Sequence, residues 1–198
     1  MHLGLIKTNC YLVESPGAAV VIDPGFQTQE TVDFLAANAV KERMILITHS
    51  HFDHIGGAPA LREVTGVPIG IGKGDSAALA DPAKNLADRF HAHFAPFVAD
   101  RTFADGETVQ VGDLSFRVIE TPGHTVGGVS YLLDGVLFSG DTLFEGTVGR
   151  TDFPGGDFKA LKKSLRRLMT LDGEVRVLSG HGDETTIARE RQTNLFLR

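Results

Sequence analysis

Four potential metal ligands, His49, His51, Asp53 and His54, fall within six consecutive residues of this 198-residue chain. They lie in the run Thr48-His49-Ser50-His51-Phe52-Asp53-His54-Ile55-Gly56-Gly57. The chain has only 8 histidines, so three in one short run is a concentration that needs a reason. Three more candidates lie downstream, each beside a glycine: His124 in Thr121-Pro122-Gly123-His124-Thr125, Asp141 in Ser139-Gly140-Asp141-Thr142, and His181 in Ser179-Gly180-His181-Gly182. Each follows an apolar, β-like run: Leu114 to Glu120, Val136 to Phe138, and Val175 to Leu178. A chain patterned this way must bring the exits of several strands to one edge, which is how a fold makes a rigid site from distant sequence. Imidazole with carboxylate suits zinc, iron or manganese rather than magnesium or calcium. In an extended segment residues i and i+2 point to the same side, so His49 and His51 can serve one metal. Spacing alone does not say which of the other ligands joins them.

Periodicity supplies the frame. Strands are expected at Asn9 to Glu14, Ala18 to Ile22, Met44 to Ile47 and Val67 to Ile71, with a turn at Ser15-Pro16-Gly17. A helix is expected over Thr28 to Val40, with Val32, Leu35, Ala36 and Ala39 on one stripe, and another over Ala58 to Val64, stopped near Gly66. Thr102 to Val111 carries a turn at Ala104-Asp105-Gly106. Leu114 to Glu120, Val129 to Leu133 and Val136 to Phe138 form a meander with a tight hairpin at Asp134-Gly135. Asp157 caps a helix to about Met169, with Phe158, Leu161, Leu165 and Leu168 on one face. Thr185 to Leu195 closes the chain as a helix. Residues Asp75 to Asp100 are the least legible and read as helix and loop, a candidate flap over the site. Two blocks of strands, each followed by helix, suggest an α/β fold with two sheets and helices outside them.

The bulk properties exclude more than they assert. Hydrophobic residues make up 42% and charged residues 22%, as in an ordinary globular domain. A net charge of −6 with no basic block argues against a nucleic-acid partner. No run reaches the length of a membrane span, and Met1 to Val13 is too short and too broken to be a secretory signal, so a cytoplasmic protein is expected. The single cysteine, Cys10, cannot form an intramolecular disulfide and reads as a small buried apolar residue. His2, His91 and His93 read as ordinary surface or core histidines. Asp23 and Thr48 are candidates to support the ligands from behind, because ligating histidines usually donate their second N–H.

The order H-x-H-x-D-H, T-P-G-H-T, G-D-T-L-F, G-H-G resembles that of the metallo-β-lactamase-fold hydrolases. The likeness runs from Asn9-Cys10-Tyr11 to the C-terminus. Gly149-Arg150-Thr151-Asp152-Phe153-Pro154-Gly155-Gly156-Asp157 and Gly180-His181-Gly182-Asp183-Glu184-Thr185-Thr186 resemble, more narrowly, the short single-domain bacterial form of glyoxalase II, the hydroxyacylglutathione hydrolases. This resemblance implies an αββα sandwich of two mixed sheets flanked by helices, with residues 1–198 as one domain. It implies two divalent metals, zinc foremost with iron or manganese as alternatives. His49, His51 and His124 would hold one metal, Asp53, His54 and His181 the other, and Asp141 would bridge them. The implied reaction is attack of a metal-bridging hydroxide on the acyl carbon of a small-molecule thioester, S-lactoylglutathione or a relative. Asp53 is then both ligand and catalytic residue, orienting the water or passing a proton. The 17 residues after His181 are too few for the helical domain that holds glutathione in two-domain enzymes. The lysine and tyrosine those enzymes place after G-D-T-L-F are here Arg150 and Asp152. These two are substrate-contact candidates or, equally, an ion pair anchoring the loop, and broader thioester recognition is expected. The rival on this fold is a mononuclear-iron persulfide dioxygenase, which shares the Gly149-Arg150-Thr151-Asp152-Phe153 run. Lactonase and phosphodiesterase relatives use similar ligands. A β-lactamase with a cysteine ligand is disfavoured, because Asp141 stands where that ligand would be. The oligomeric state is left open.

Overall fold

The structure is a computed structural model that describes residues 1–198 except Leu5, Gln27, 38–40 and Arg198. The first sheet is built from β1 (Tyr11–Ser15), β2 (Ala18–Ile22), β3 (Glu42–Ile47), β4 (Ile69–Gly72) and β5 (Arg101–Phe103), in that spatial order. β1 pairs antiparallel with β2, and the remaining pairs are parallel. The second sheet is built from β6 (Thr108–Val111), β7 (Leu114–Glu120), β8 (Val129–Leu133), β9 (Val136–Gly140), β10 (Arg176–Ser179) and β11 (Thr185–Thr186). Its neighbours run β11-β10-β9-β8-β7-β6, and only β9 with β10 is parallel. Both sheets are therefore mixed.

Alternation along the strands sorts the core into layers. Ala18, Val20 and Ile22 of β2 face the second sheet and pack with Leu46, Phe116, Val118 and Tyr131. Ala19 and Val21 face the other way, with Ile45, Ile47, Ile69 and Ile71, onto helices α1 (Gln29–Ala37) and α2 (Ala58–Thr65). On the outer face of the second sheet, Ile119, Leu137 and Val177 pack against Leu161, Leu165 and Leu168 of α3 (Phe158–Leu168) and Ile187 of α4 (Ile187–Thr193). The result is the αββα sandwich. Buried Tyr131 also crosses between the layers, its hydroxyl donating to the Ile47 carbonyl at 2.9 Å.

Most expected elements are present, with instructive departures. In α1 the buried stripe runs through Thr31 and Leu35 with Val32 beside them, and Ala36 is exposed. The expected helix end at Ala39 and Val40 lies outside the described residues. In α3, Asp157 caps as expected, accepting from the Lys159 and Ala160 backbone N–H groups. Phe158, however, is exposed at the first helical position, with the Lys162 ammonium over its ring. The expected turn at Ala104-Asp105-Gly106 is present, and it carries the chain from β5 in one sheet to β6 in the other. Asp134 and Gly135 have φ of 44° and 79°, as a tight hairpin of the expected type requires. Residues 75–100 contain a 3₁₀ helix, Lys73–Ala80, and one helical turn, Ala87–Phe90. Among the described residues no helix is long and apolar enough to cross a membrane.

Candidate metal centre

Strand direction brings the ligands together. β2 and β3 are parallel neighbours, so Asp23 and Thr48 leave the first sheet side by side. β9 and β10 are parallel neighbours, so Asp141 and His181 leave the second sheet together. β7 runs antiparallel to β8, and β8 antiparallel to β9, so β7 delivers His124 to the same edge. Three groups of side chains meet there: His49, His51 and His124; His49, His54 and Asp141; and Asp53, His54 and His181. In each group the donor atoms lie within 4.8 Å of one another. All seven residues singled out as ligands are thus gathered in one place. His2, His91 and His93 are exposed and take no part. Cys10 is fully buried, and burial pushes its thiol up to about 12.

Asp141 sits between the groups. Its Oδ1 lies 3.4 Å from His54 Nε2, and its Oδ2 lies 3.5 Å from His124 Nε2 and 3.6 Å from His181 Nε2. Asp53 Oδ2 lies 3.4 Å from His54 Nε2 and 3.2 Å from His181 Nε2. Gly180 makes this approach feasible, since a Cβ there would collide with Asp141 Oδ1 and His54 Cε1.

Hydrogen bonds behind the ligands set their tautomers. The Thr48 hydroxyl donates to Asp23 Oδ2 at 2.6 Å, so its oxygen is left to accept from His49 Nδ1 at 3.1 Å. His54 Nδ1 donates to the same Asp23 oxygen at 2.9 Å, and His124 Nδ1 donates to the Arg150 carbonyl at 2.7 Å. Three imidazoles are therefore held from behind through Nδ1 and turn Nε2 toward the centre. His51 is placed differently: its Nδ1 faces His124 Nε2 at 2.9 Å. Asp23 holds its role from a left-handed backbone conformation, φ 50°. Aspartate tolerates that region better than most residues.

The donor set fits a divalent metal. Nε2 of His49, His51 and His54 and Oδ1 of Asp141 are buried without a hydrogen-bond partner. Buried polar atoms left so are costly unless something else satisfies them. Burial, reinforced by neighbouring histidines, drives His49 well below its usual range and His51 to about 3, so both present neutral lone pairs. Burial would also lower His54, but Asp53, Asp141 and Asp23 outweigh it and hold it well above its usual range. Burial would raise Asp53 and Asp141, yet His54 and its neighbours keep both carboxylates low. His49 and His51 thus offer neutral imidazoles beside ionised carboxylates, and at His54 a cation would take the place of the proton that the three carboxylates favour, since metal binding releases protons from its ligands.

The centre floors a cleft of about 410 Å³. Phe52, Leu86, Phe90 and Phe153 wall one part of it, and Ile6, Phe144 and Val148 another. Arg150 is at its rim, but its Nε and Nη2 each donate at 2.6 Å to the two oxygens of Asp152. Of the two roles open to Arg150 and Asp152, the geometry shows the ion pair, while the Arg150 carbonyl holds His124.

Some residues that brace the site were given no role from the sequence. Fully buried Thr8 donates to Asp53 Oδ2 at 2.9 Å. Asn9 Nδ2 donates to the carbonyls of Ser179 and Gly182, and the Tyr11 hydroxyl donates to Ser179 O, so β1 and its approach pin the His181 loop. Asp75, from the least legible segment, accepts from Ser50 N at 2.9 Å and Gly127 N at 2.6 Å, tying the first ligand run to the His124 loop.

Fold and ligand set together define the class: the chain belongs to the metallo-beta-lactamase superfamily, whose model matches residues 3–181, and its class is that of the metal-dependent hydrolases. Among its relatives is a hydroxyacylglutathione hydrolase, GloC of Haemophilus influenzae, 34% identical over 96% of this chain and 93% of that protein. Three solved structures place the likeness in three dimensions. BLEG-1, a B3 metallo-beta-lactamase, superimposes with a TM-score of 0.91 at 36% identity, covering 99% of this chain and 97% of that one. TTHA1623 in a di-iron-bound form gives 0.88 at 38% identity, covering 100% and 98%. ETHE1 from Myxococcus xanthus gives 0.78 at 34% identity, covering 95% and 78%.

Proposed function

We propose that this protein hydrolyses thioesters, S-lactoylglutathione or a related hydroxyacylglutathione, with two divalent metals held at the site described. His49, His51 and His124 would hold one metal, and Asp53, His54 and His181 the other. The observation that carries this reading is the Asp141 carboxylate, which turns one oxygen to His54 and the other to His124 and His181. A carboxylate with two oxygens suits a bridge, whereas each imidazole offers one lone pair. Bound metals would supply Lewis acidity, polarising a carbonyl and lowering the pKa of water to about 7.

The remaining work falls to the chain itself. Asp53, oriented by Thr8 and kept ionised, is the acceptor for a proton from the attacking water. Phe52, Phe90 and Phe153 line the cleft beside the centre and offer the substrate an apolar wall. Cys10 offers no competing nucleophile, because its thiol is buried and protonated at neutral pH. The choice of thioester is supported by the resemblance to hydroxyacylglutathione hydrolases and by the GloC relative. A second reading, β-lactam hydrolysis, is supported by the likeness to BLEG-1.

The test is metal content by mass spectrometry on freshly purified protein, with hydrolysis of S-lactoylglutathione and of a chromogenic cephalosporin assayed on the same sample. About two metals per chain with thioester turnover is the expected result. Cephalosporin turnover without thioester turnover would favour the second reading. One iron per chain, with oxygen uptake on glutathione persulfide and neither hydrolysis, would overturn both.

A further inference from the structure

At the rim of the cleft, Phe153 lies close to two guanidinium groups. Arg150 Cζ lies 3.9 Å from the ring centroid and Arg89 Cζ 5.3 Å. The two cations are not equivalent. Arg150 is engaged in a two-pronged pairing with Asp152, which balances its charge. Arg89 has no ion-pair partner among the described residues, and its neighbour Asp88 lines a different hollow with Pro82 and His93. Arg89 is close enough to help Arg150 hold the Asp152 carboxyl down at about 2. The Asp152 carboxylate is bonded by Arg150 and not by Arg89, so of the two guanidiniums beside Phe153 the surplus positive charge belongs to Arg89.

The backbone is arranged to put it there. The single turn Ala87–Phe90 is bracketed by Leu86 at φ 67° and His91 at φ 53°, both non-glycine residues in the left-handed region. A bulky residue such as leucine is an outlier there, and such conformations persist only when their surroundings hold them. The surroundings do so. Phe52 N donates to the Asn85 carbonyl at 2.8 Å, Ala87 N donates to Asn85 Oδ1 at 3.0 Å, and Phe90 stacks on Phe52 at 5.0 Å with 22° between rings. Phe52 lies between His51 and Asp53, so this turn is locked to the metal-ligand run itself.

We infer that Arg89 is a specificity-determining residue that binds a carboxylate at the far end of the substrate, while Phe52, Phe90 and Phe153 pack the apolar part between it and the metal centre. The inference rests on the thioester reading above. A guanidinium pairs with a carboxylate through two parallel hydrogen bonds, and at an exposed rim that pairing weakens as salt rises.

The test compares wild type, Arg89→Met and Arg89→Lys on two thioesters with one acyl group. S-lactoylglutathione carries free carboxylates and S-lactoyl-N-acetylcysteamine carries none. In Arg89→Met the ratio of the two kcat/KM values should fall about 5-fold, mainly through KM, the scale of an exposed ion pair. Arg89→Lys should keep most of the ratio, and the wild-type ratio should fall with added salt. Calorimetry with S-hexylglutathione, a thioether that cannot be hydrolysed, reads binding alone, and its affinity should drop about 5-fold in Arg89→Met. An unchanged ratio and affinity, or equal losses in the Met and Lys variants, would overturn the assignment. Arg89-dependent thioether binding in a protein that hydrolyses neither thioester would leave the carboxylate site standing and overturn the thioester reading.

Discussion

Asp23→Asn is the sharpest perturbation of how the centre is set. Asp23 Oδ1 accepts from Thr48 N at 2.7 Å, and Oδ2 accepts from Thr48 Oγ1 at 2.6 Å and His54 Nδ1 at 2.9 Å. Asparagine has nearly the same shape and tolerates the left-handed φ of 50°, so the backbone has no reason to move. If its amide oxygen keeps the Thr48 N–H, its NH₂ must face both His54 and the Thr48 hydroxyl. An N–H aimed at His54 Nδ1 makes that nitrogen an acceptor and moves the ring proton to Nε2. Nε2 is the atom turned toward Asp53 and Asp141. A protonated Nε2 cannot ligate, so binding a metal then requires the wrong tautomer behind it, with two N–H groups opposed. Loss of such a partner costs roughly 10–100-fold in metal affinity, or about 1.4–2.7 kcal/mol. Because Thr48 also loses its acceptor and stands behind His49, the upper end of that range is expected. The assay is chelator competition for zinc on metal-stripped protein, with circular dichroism to confirm that the variant is folded. The loss should be larger for the metal served by His54 than for the one served by His51 and His124. Affinities within about 3-fold of wild type at both sites would refute the tautomer argument.

Gly180→Ala should keep the fold but cut metal affinity about 10–100-fold, because its Cβ displaces Asp141 and His54; metal analysis of the folded variant checks it. Asp75→Ala leaves the N–H groups of Ser50 and Gly127 buried and unpaired, which should cost about 2–4 kcal/mol and lower Tm by roughly 5–12 °C in a scanning calorimeter. Leu165→Ala empties a fully packed position between α3 and the second sheet and should cost about 2–5 kcal/mol by urea titration, with the metal content of the folded fraction unchanged. Stripping the metal with a chelator should lower Tm, and restoring free metal to about 1,000 times its Kd should return about 4 kcal/mol per site, or roughly 8–16 °C.

What could be read in advance follows from the range of the interactions involved. The strands were legible because apolar alternation is local: Leu114–Glu120 and Val129–Leu133 have the bounds that their patterns predict. The seven candidate ligands could be singled out because histidine is scarce in the chain and their order resembles that of a known family, and the fold gathers them in one place. Asp75 was not, since nothing in Gly74-Asp75-Ser76 says that its two oxygens will meet N–H groups 25 and 52 positions away. Thr8 was not, for the same reason: a threonine in a short β-like run gains its meaning only when Asp53, 45 positions on, is folded against it. The division of one turn-containing stretch between two sheets, β5 and β6, also escaped local pattern, because a hairpin and a crossover begin with the same turn chemistry. The pairing of Arg150 with Asp152 shows the limit from the other side. Both residues were visible, as substrate contacts or as an ion pair; the side-chain geometry shows the pair and leaves Arg89, a residue without any motif, as a cation beside Phe153 with no ion-pair partner among the described residues. Candidate ligand chemistry is thus written in residue type and spacing, and Asp23 and Thr48 behind it could be named in advance, whereas the parts played by Thr8, Asp75 and Arg89 are defined by pairings that exist only in the folded chain.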